Sequence, residues 1–309
     1  MNNTAEVKQK ILVVGSSNTD MVIKTNHLPH PGETVLGGTF FMNPGGKGAN
    51  QAVAIARLDG LIAFICKTGS DIFGQESKQL FEIEGIDTSY MFIDSIHPSG
   101  VALITVDSKA ENCIVVASGA NADLSIADIL AVHEAIEKAD IILMQLEIPV
   151  DTVKYVAATA KKLNKKVILN PAPAQPLDNE LLQSLFLLTP NEKEAEMISG
   201  IKIIDADSLQ ACARAICDKG VQSVIITLGS KGAYLYNNTL HETISSYKVT
   251  AIDTTAAGDI FNGALAVAIS EGCDLAEAVG FANKAAAISV TRLGAQSSAP
   301  YRHEVDVFN

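Results

Sequence analysis

Ile141-Ile-Leu-Met-Gln-Leu146, Val150-Asp-Thr-Val-Lys-Tyr-Val-Ala-Ala-Thr-Ala-Lys-Lys-Leu163 and Val167-Ile-Leu169 follow one another within thirty residues, and their reading decides the fold. The first and third are nearly continuous apolar runs, the pattern of strands covered on both faces. The second has the spacing of an amphipathic helix. Strand, helix, strand of this kind is a right-handed βαβ unit with parallel strands. The same alternation extends in both directions. Ile11–Val14, Leu61–Cys66, Leu185–Leu188 and Val224–Thr227 read as further buried strands. Gly48–Leu58, Gln75–Glu84, Ile126–Lys138, Lys193–Ser199 and Asp207–Asp218 read as further helices. The expected architecture is α/β: a doubly wound, mostly parallel sheet flanked by helices, in one domain spanning residues 1–309. The C-terminal third changes to helices, Gly258–Ser270 and Leu275–Thr291, with a short tail from Pro300.

Two segments interrupt the alternation. Met21-Val-Ile-Lys-Thr25 and Thr34–Phe41 flank a turn containing Pro29, Pro31 and Gly32; Gly100–Val106 and Asn112–Ala117 flank the polar turn Asp107–Glu111. Both read as antiparallel pairs inserted at about 20–43 and 100–117, together a small β-sheet. Such a sheet beside an α/β crevice is either a lid that excludes water or an edge used for oligomer contact. Alternating apolar residues on these strands (Val22, Val35, Leu103, Val115) predict a homodimer in which two lids cover one another.

The chain of 309 residues carries 23 Lys and Arg against 35 Asp and Glu, a formal charge of −12. Bulk charge of that sign argues against a general nucleic-acid or anionic-membrane binder. At 48% apolar and 19% charged residues a sizeable core can form, and no apolar run is long enough for a membrane span. The stretch Met1–Lys10 lacks the pattern of a signal peptide. Cys66, Cys113, Cys212, Cys217 and Cys273 match no zinc spacing and read as reduced thiols, mostly filling the core, in a cytoplasmic protein.

Five motifs bear on chemistry. Asp253-Thr-Thr-Ala-Ala-Gly-Asp259 ends an extended segment, turns through small residues and opens an apolar helix. Amides at such a terminus, with the helix dipole, bind an anion, and Asp259 beside it has the place of a general base, or of a simple capping acid. Asn43-Pro-Gly-Gly-Lys-Gly-Ala-Asn50 is a glycine turn entering a helix, without Walker A spacing. Gly15-Ser-Ser-Asn-Thr-Asp20 follows the first strand, where Asn18 and Asp20 bind sugar hydroxyls or close an Asx turn. Thr189-Pro-Asn-Glu-Lys-Glu194 has a capping box in Asn191 and Glu194, which alternatively orients phosphate and a hydrated Mg²⁺. Thr227-Leu-Gly-Ser-Lys-Gly232 is a flexible turn over which a nucleotide can lie. No dinucleotide fingerprint follows any strand.

In this order, and most specifically through Gly45-Gly-Lys-Gly-Ala-Asn50 and Asp253–Asp259, these motifs resemble the ribokinase (PfkB) family of carbohydrate kinases. Met144-Gln-Leu-Glu147, Asn170-Pro-Ala-Pro173 and Val290-Thr-Arg-Leu-Gly-Ala-Gln296 extend the resemblance from Ile11 to the tail. It implies a doubly wound α/β fold with a β-sheet lid. It also implies ATP-dependent phosphorylation of a sugar hydroxymethyl, here D-ribose to D-ribose 5-phosphate. By the resemblance, Asp259 is the general base and Ala256, Ala257 and Gly258 form the anion hole. Asn18, Asp20, Gly46, Lys47, Asn50 and Glu147 bind sugar, joined there by Asp259. Asn191, Thr227, Gly229, Ser230, Gly232 and Gly258 hold the nucleotide, with Asn283 near adenine. Glu194 positions Mg²⁺ through water. Asp253, Thr255, Ser289, Arg292, Gly294 and Ser298 match a monovalent-cation site suited to K⁺. Ala256 stands where many members have Gly, and Ser70 where Asp is common. The alternatives are kinases of 2-deoxyribose, fructose or a nucleoside such as adenosine, and a non-catalytic sugar or nucleotide sensor. The pair Asn18 and Asp20 favours an acceptor with both 2- and 3-hydroxyls.

Overall fold

The computed structural model describes residues 9–109 and 111–308. Residues 1–8 of the polar N-terminal stretch and Ala110 of the Asp107–Glu111 turn lie outside the described residues. The strands are β1 (Lys10–Val14), β2 (Asn18–Lys24), β3 (Thr39–Gly45), β4 (Leu61–Ile65), β5 (Lys67–Gly69), β6 (Phe92–Asp94), β7 (Gly100–Val106), β8 (Asn112–Ala117), β9 (Ile141–Met144), β10 (Lys166–Leu169), β11 (Leu187–Leu188), β12 (Ser223–Thr227), β13 (Ala233–Asn237) and β14 (His241–Ile244).

The main sheet has the order β14-β13-β12-β11-β10-β9-β1-β4, parallel from β12 to β4. Each central strand is buried on both faces because alternate residues enter two separate cores. Ile11 and Val13 of β1 join Ile141 and Leu143 under the helices Lys47–Arg57, Ala257–Ser270 and Leu275–Ser289. Leu12 and Val14 join Ile142 and Met144 under the helices Val150–Lys162 and Ala206–Cys217 on the other side. The expected doubly wound sandwich is therefore present. From β1 the chain moves first to β4 and later returns to β9 on the opposite side of β1. This reversal opens a crevice at the carboxyl ends of β1 and β9, where open α/β sheets bind ligands.

Several boundaries differ from expectation. The segment Ile126–Lys138 is two helices, Ile126–Ala131 and His133–Lys138, because Val132 leaves helical geometry at φ −122°. β9 stops at Met144 and β11 keeps only Leu187–Leu188. The segment expected as a strand over 34–41 is extended only from Thr39, since Gly37 and Gly38 take φ of 95° and 106°. The antiparallel pair β13 and β14 and the short pair β5 and β6 were not anticipated from the sequence. Cys66 and Cys212 are core residues, but Cys217 and Cys273 are half-buried and Cys113 is exposed.

The inserted segments form one sheet, β3-β2-β7-β8, in which the two hairpins join through parallel β2 and β7. Its first strand starts at Asn18, four residues after β1 ends, so the lid grows directly out of the crevice. The register places Met21, Met42, Leu103 and Val115 on one face and Val22, Phe41, Ile104 and Ile114 on the other. Of the residues expected to share an apolar lid face, only Leu103 and Val115 do so. Val22 is buried on the opposite face, and Val35 lies in the loop before β3.

Candidate active site

Asn18 and Asp20 stand two residues apart on β2 and so point to the same face of the lid. This strand placement, rather than an Asx turn, brings them over the crevice. Asn18 Oδ1 accepts from Asn121 Nδ2 at 2.8 Å, and Asn121 also bonds the backbone of Ser17 and Ser118. The Asp20 carboxylate accepts no hydrogen bond from the described residues. It lies against Gly45, where a Cβ would fall 2.4 Å from its carboxyl atoms. Burial, then the Glu147 and Asp259 carboxylates, push its pKa up to about 6, against the pull of Lys47.

The glycine turn supplies the floor. Gly46 takes φ 89° and packs so closely on Ser16–Asn18 that a Cβ there would meet Asn18 N at 2.7 Å. Lys47 opens the helix. Its amide donates to Glu147 Oε2 at 2.9 Å, and Ser16 Oγ donates to the same oxygen at 2.5 Å. Asp259, and then Glu147, Glu194 and Asp20, hold the Lys47 ammonium above its ordinary pKa against the opposing effect of burial.

Asp259 lies in the first turn of the helix Ala257–Ser270 and is 5% exposed. A capping acid would return its carboxylate to its own helix terminus, yet this terminus has no side-chain cap. Instead Oδ2 accepts from Asn50 Nδ2 at 2.9 Å and Oδ1 from Gln51 Nε2 at 3.0 Å, both on the facing helix. Burial raises the Asp259 pKa, while Lys47 and the two amides oppose the rise. Ala256 takes the left-handed conformation, φ 59°, turning the chain into the helix. The amides of Gly258 and Asp259 donate to no acceptor among the described residues, so the helix terminus keeps its anion-binding capacity.

Two cavities meet at this turn. A polar one of ≈ 170 Å³ is lined by Lys47, Asn170, Asn191, Glu194 and Asp259, among others. A larger one of ≈ 390 Å³ is lined by Gly229, Ser230, Gly232, Tyr247, Asn283 and Val290, among others. Thr227, Thr254, Ala257 and Gly258 border both. Asn191 and Glu194 do form the reciprocal capping box, and Glu194 nonetheless reaches the polar cavity, where burial raises its pKa. Asn283 lines the larger cavity, but its amide nitrogen donates to the carbonyls of Ile244 and Ser245 and pins that loop. Sequence reasoning missed Thr254, Ser246–Val249 and Phe261 on this side, and Gln51, Asn170, Thr189 and Asn262 beneath Asp259. Only Gln51, adjacent to Asn50 on a buried helix face, left a readable signal.

Beside the turn, Asp253 accepts from the amides of Thr255 and Gly294, both at 2.9 Å, so it joins the two segments expected to surround a cation. Burial works to raise its pKa, but Thr255 and the Gly294 amide hold it below the ordinary value. The Arg292 guanidinium pairs with Glu304, and the Ser289 and Ser298 hydroxyls donate to Ala286 and Ala295 carbonyls. The side chains of these three are therefore engaged within the protein.

A doubly wound sheet, a covering β-sheet, and a buried carboxylate where two cavities meet at open helix amides define a small-molecule kinase. The chain matches the pfkB family carbohydrate kinase profile over residues 8–302, and it belongs to that family. It is 46% identical to a ribokinase of Haemophilus influenzae over 298 residues, 96% of this chain and 97% of the relative. A crystal structure of a ribokinase from Thermotoga maritima superposes with a TM-score of 0.90 at 44% identity, covering 97% of this chain and 99% of the other. An Arabidopsis thaliana ribokinase complexed with ribose and ATP superposes at 0.89 with 32% identity, covering 97% and 98%. Among the described residues no helix is long and apolar enough to cross a membrane.

Proposed function

We propose that this enzyme transfers the γ-phosphoryl group of ATP to the 5-hydroxyl of D-ribose, giving D-ribose 5-phosphate and ADP. One observation carries the reading: Asp259 is buried at the polar cavity, beside the turn where that cavity meets the larger one and next to the Gly258 and Asp259 amides, which have no acceptor among the described residues. Asp259 takes the proton from the 5-hydroxyl as the new O–P bond forms and the bond from the γ-phosphorus to the bridging oxygen of ADP breaks. The amides of Gly258 and Asp259, together with Lys47, stabilise charge on the transferring group, while the Ala257 amide donates to the Thr254 carbonyl at 3.3 Å and shapes the turn; phosphoryl transfer depends mainly on such positioning and electrostatics. Asp20 accepts hydrogen bonds from the hydroxyls of the sugar, and Asn18, Gly46, Asn50 and Glu147 complete its binding. The nucleotide lies in the larger cavity across Thr227, Gly229, Ser230 and Gly232, with its phosphates toward Asn191.

Carboxylate and amide donors on the polar cavity fit a hydrated divalent ion, and Asn191 and Glu194 would hold Mg²⁺ through water; Mg²⁺ neutralises phosphate charge when bound. The donors around Asp253, with Thr255, Gly294 and the backbone of Ser289, Arg292 and Ser298, fit a large monovalent ion such as K⁺, which adds positive charge beside the anion hole. The five free cysteines support a cytoplasmic setting. The exposed lid face of Met42, Leu103 and Val115 supports a homodimer through the lids.

The polar side chains assigned to the acceptor, Asn18, Asp20, Asn50 and Glu147, favour a free sugar over a nucleoside such as adenosine. The test is ADP release with ATP–Mg²⁺ and ribose, 2-deoxyribose, fructose or adenosine, in K⁺ or Na⁺, for wild type and Asp259→Asn. Ribose-dependent release, lost by a factor of at least about 10³ in the variant, is expected. Retained turnover in Asp259→Asn overturns its role, and silence with every acceptor favours a non-catalytic sensor.

A further inference from the structure

Beneath the carboxylate runs a buried chain of side-chain amides, all donating in one sense. Gln145 Nε2 donates to Gln51 Oε1 at 2.6 Å; Gln51 Nε2 donates to Asp259 Oδ1 at 3.0 Å and to Asn170 Oδ1 at 3.2 Å; Asn170 Nδ2 donates to the Thr189 carbonyl at 3.1 Å. Thr189 Oγ1 then donates to Asn262 Oδ1, and Asn262 Nδ2 to the Gly258 carbonyl at 2.8 Å. The chain starts at Gln145 and reaches the catalytic turn twice, at Asp259 and at the Gly258 carbonyl, crossing the carboxyl ends of β9, β10 and β11. Gln51 and Gln145 are fully buried. The sense of the chain is set by Asp259: its carboxylate can only accept, so Gln51 turns Nε2 to it and Oε1 to Gln145 Nε2, which leaves Gln145 Oε1 against Gly15 with no partner among the described residues. With its oxygen thus occupied, Gln51 presents its amino group to Asp259.

We propose that Gln51 is the positioning residue of the general base: held by Gln145, it fixes Asp259 Oδ1 while Asn50 fixes Oδ2, leaving each oxygen a lone pair for the acceptor. The inference rests on Asp259 acting as the base. Loss of the donor leaves Asp259 free to rotate and removes a hydrogen bond to its charged form. Other charged groups facing Asp259 are Lys47 at the start of the same helix, Glu147 after β9, Asp20 on the lid and Glu194 across the polar cavity. None of them is altered by a change at Gln51.

The experiment compares wild type, Gln51→Met, Gln145→Met and both changes in an Asp259→Asn background, measuring kcat, KM for ribose and ATP, and kcat against pH. Gln51→Met should lower kcat about 10- to 100-fold, the range for a lost hydrogen bond to a charge, with KM nearly unchanged. Its acid limb in kcat should move up by about one pH unit. Gln145→Met, which leaves every contact to Asp259 in place, should move both quantities the same way by less, and it carries the test where Gln51→Met folds poorly. Neither change should slow the residual rate of Asp259→Asn. A lower kcat with an unmoved acid limb in both variants, or an equal further loss in the Asp259→Asn background, overturns the positioning role. High activity of Asp259→Asn alone overturns instead the assignment of the base.

Discussion

Asp20→Asn should make the free enzyme more stable at pH 8 and a poorer kinase at the same pH. The Asp20 carboxyl is half-buried, faces two other carboxylates, and receives no hydrogen bond from the described residues, so its pKa rises from 3.8 to about 6. For a carboxyl shifted upward the sign is fixed. Below about pH 4 it is protonated in both folded and unfolded chains and has no effect. Between about 4 and 6 the folded state holds a proton that the unfolded state has released, so stability falls as pH rises. Above 6 the whole cost is present. A shift of this size corresponds to about 3 kcal/mol. Water reaches part of the side chain, so roughly 1–2 kcal/mol is the expected gain from replacing the ion by an amide, or roughly 2–6 °C in Tm. Thermal melts of wild type and variant, without ligand, at pH 5 and pH 8 test this. The variant should gain on wild type between the two, and saturating ribose should narrow the difference because its hydroxyls donate to the wild-type carboxylate. In turnover, KM for ribose should rise about 10- to 100-fold in the variant, and the fall of wild-type kcat/KM below pH 6 should flatten. A stability difference that is constant from pH 5 to pH 8, or a variant less stable at pH 8, refutes the electrostatic argument.

Gly258→Ala should fold with a Tm near wild type, since a Cβ there meets no atom within 4 Å, while kcat/KM for ATP falls at least ~100-fold because the methyl group enters the border of both cavities; unchanged kinetics would remove Gly258 from the anion hole. Leu103→Glu, a charge on the outer lid face that is 54% exposed at this residue, should convert a dimer to a monomer by light scattering. A wild type already monomeric at micromolar concentration would reject the lid interface.

The doubly wound core was legible because its strands are apolar on both faces and its helices amphipathic, so Ile141–Leu169 alone discloses the repeated unit. The lid was legible as two hairpins, but its register was not: Gly37 and Gly38 delay β3, and β2 begins at Asn18 inside a motif that reads locally as a turn. That one displacement matters most for the site, because strand alternation is what points Asn18 and Asp20 the same way. β13 was obscured by the neighbouring glycine turn, and β14, with burial only at Ile244, has no apolar alternation. Arg292 was placed at a cation site by the resemblance, which says nothing of its side chain; the guanidinium pairs with Glu304, a partner that only the helix Arg302–Val307 brings near. Asn170, Thr189 and Asn262 come from three elements far apart in sequence, and no spacing rule connects them.

The site gathers Asp20, Glu147, Asp259 and Glu194 around a single ammonium, that of Lys47. For an enzyme that must admit a polyphosphate this charge balance looks inverted, and its spatial order resolves it. In the proposed reaction Asp20 and Glu147 serve the acceptor, whose hydroxyl groups bring donors and no charge. Lys47 and Asp259 line the polar cavity and Gly258 borders both, so the ammonium and the open amides stand where that reaction would carry the transferring group. Asp259 joins the two regions, and its ionisation is the balance between burial, which opposes charge, and Lys47, Asn50 and Gln51, which favour it. Loss of any of those partners would raise its pKa further. In the proposed reaction the lid residues that carry Asp20 would also exclude the water that could otherwise accept the phosphoryl group. Acceptor recognition and protection from hydrolysis therefore depend on the same strand, β2, rooted at Asn18 and Asn121.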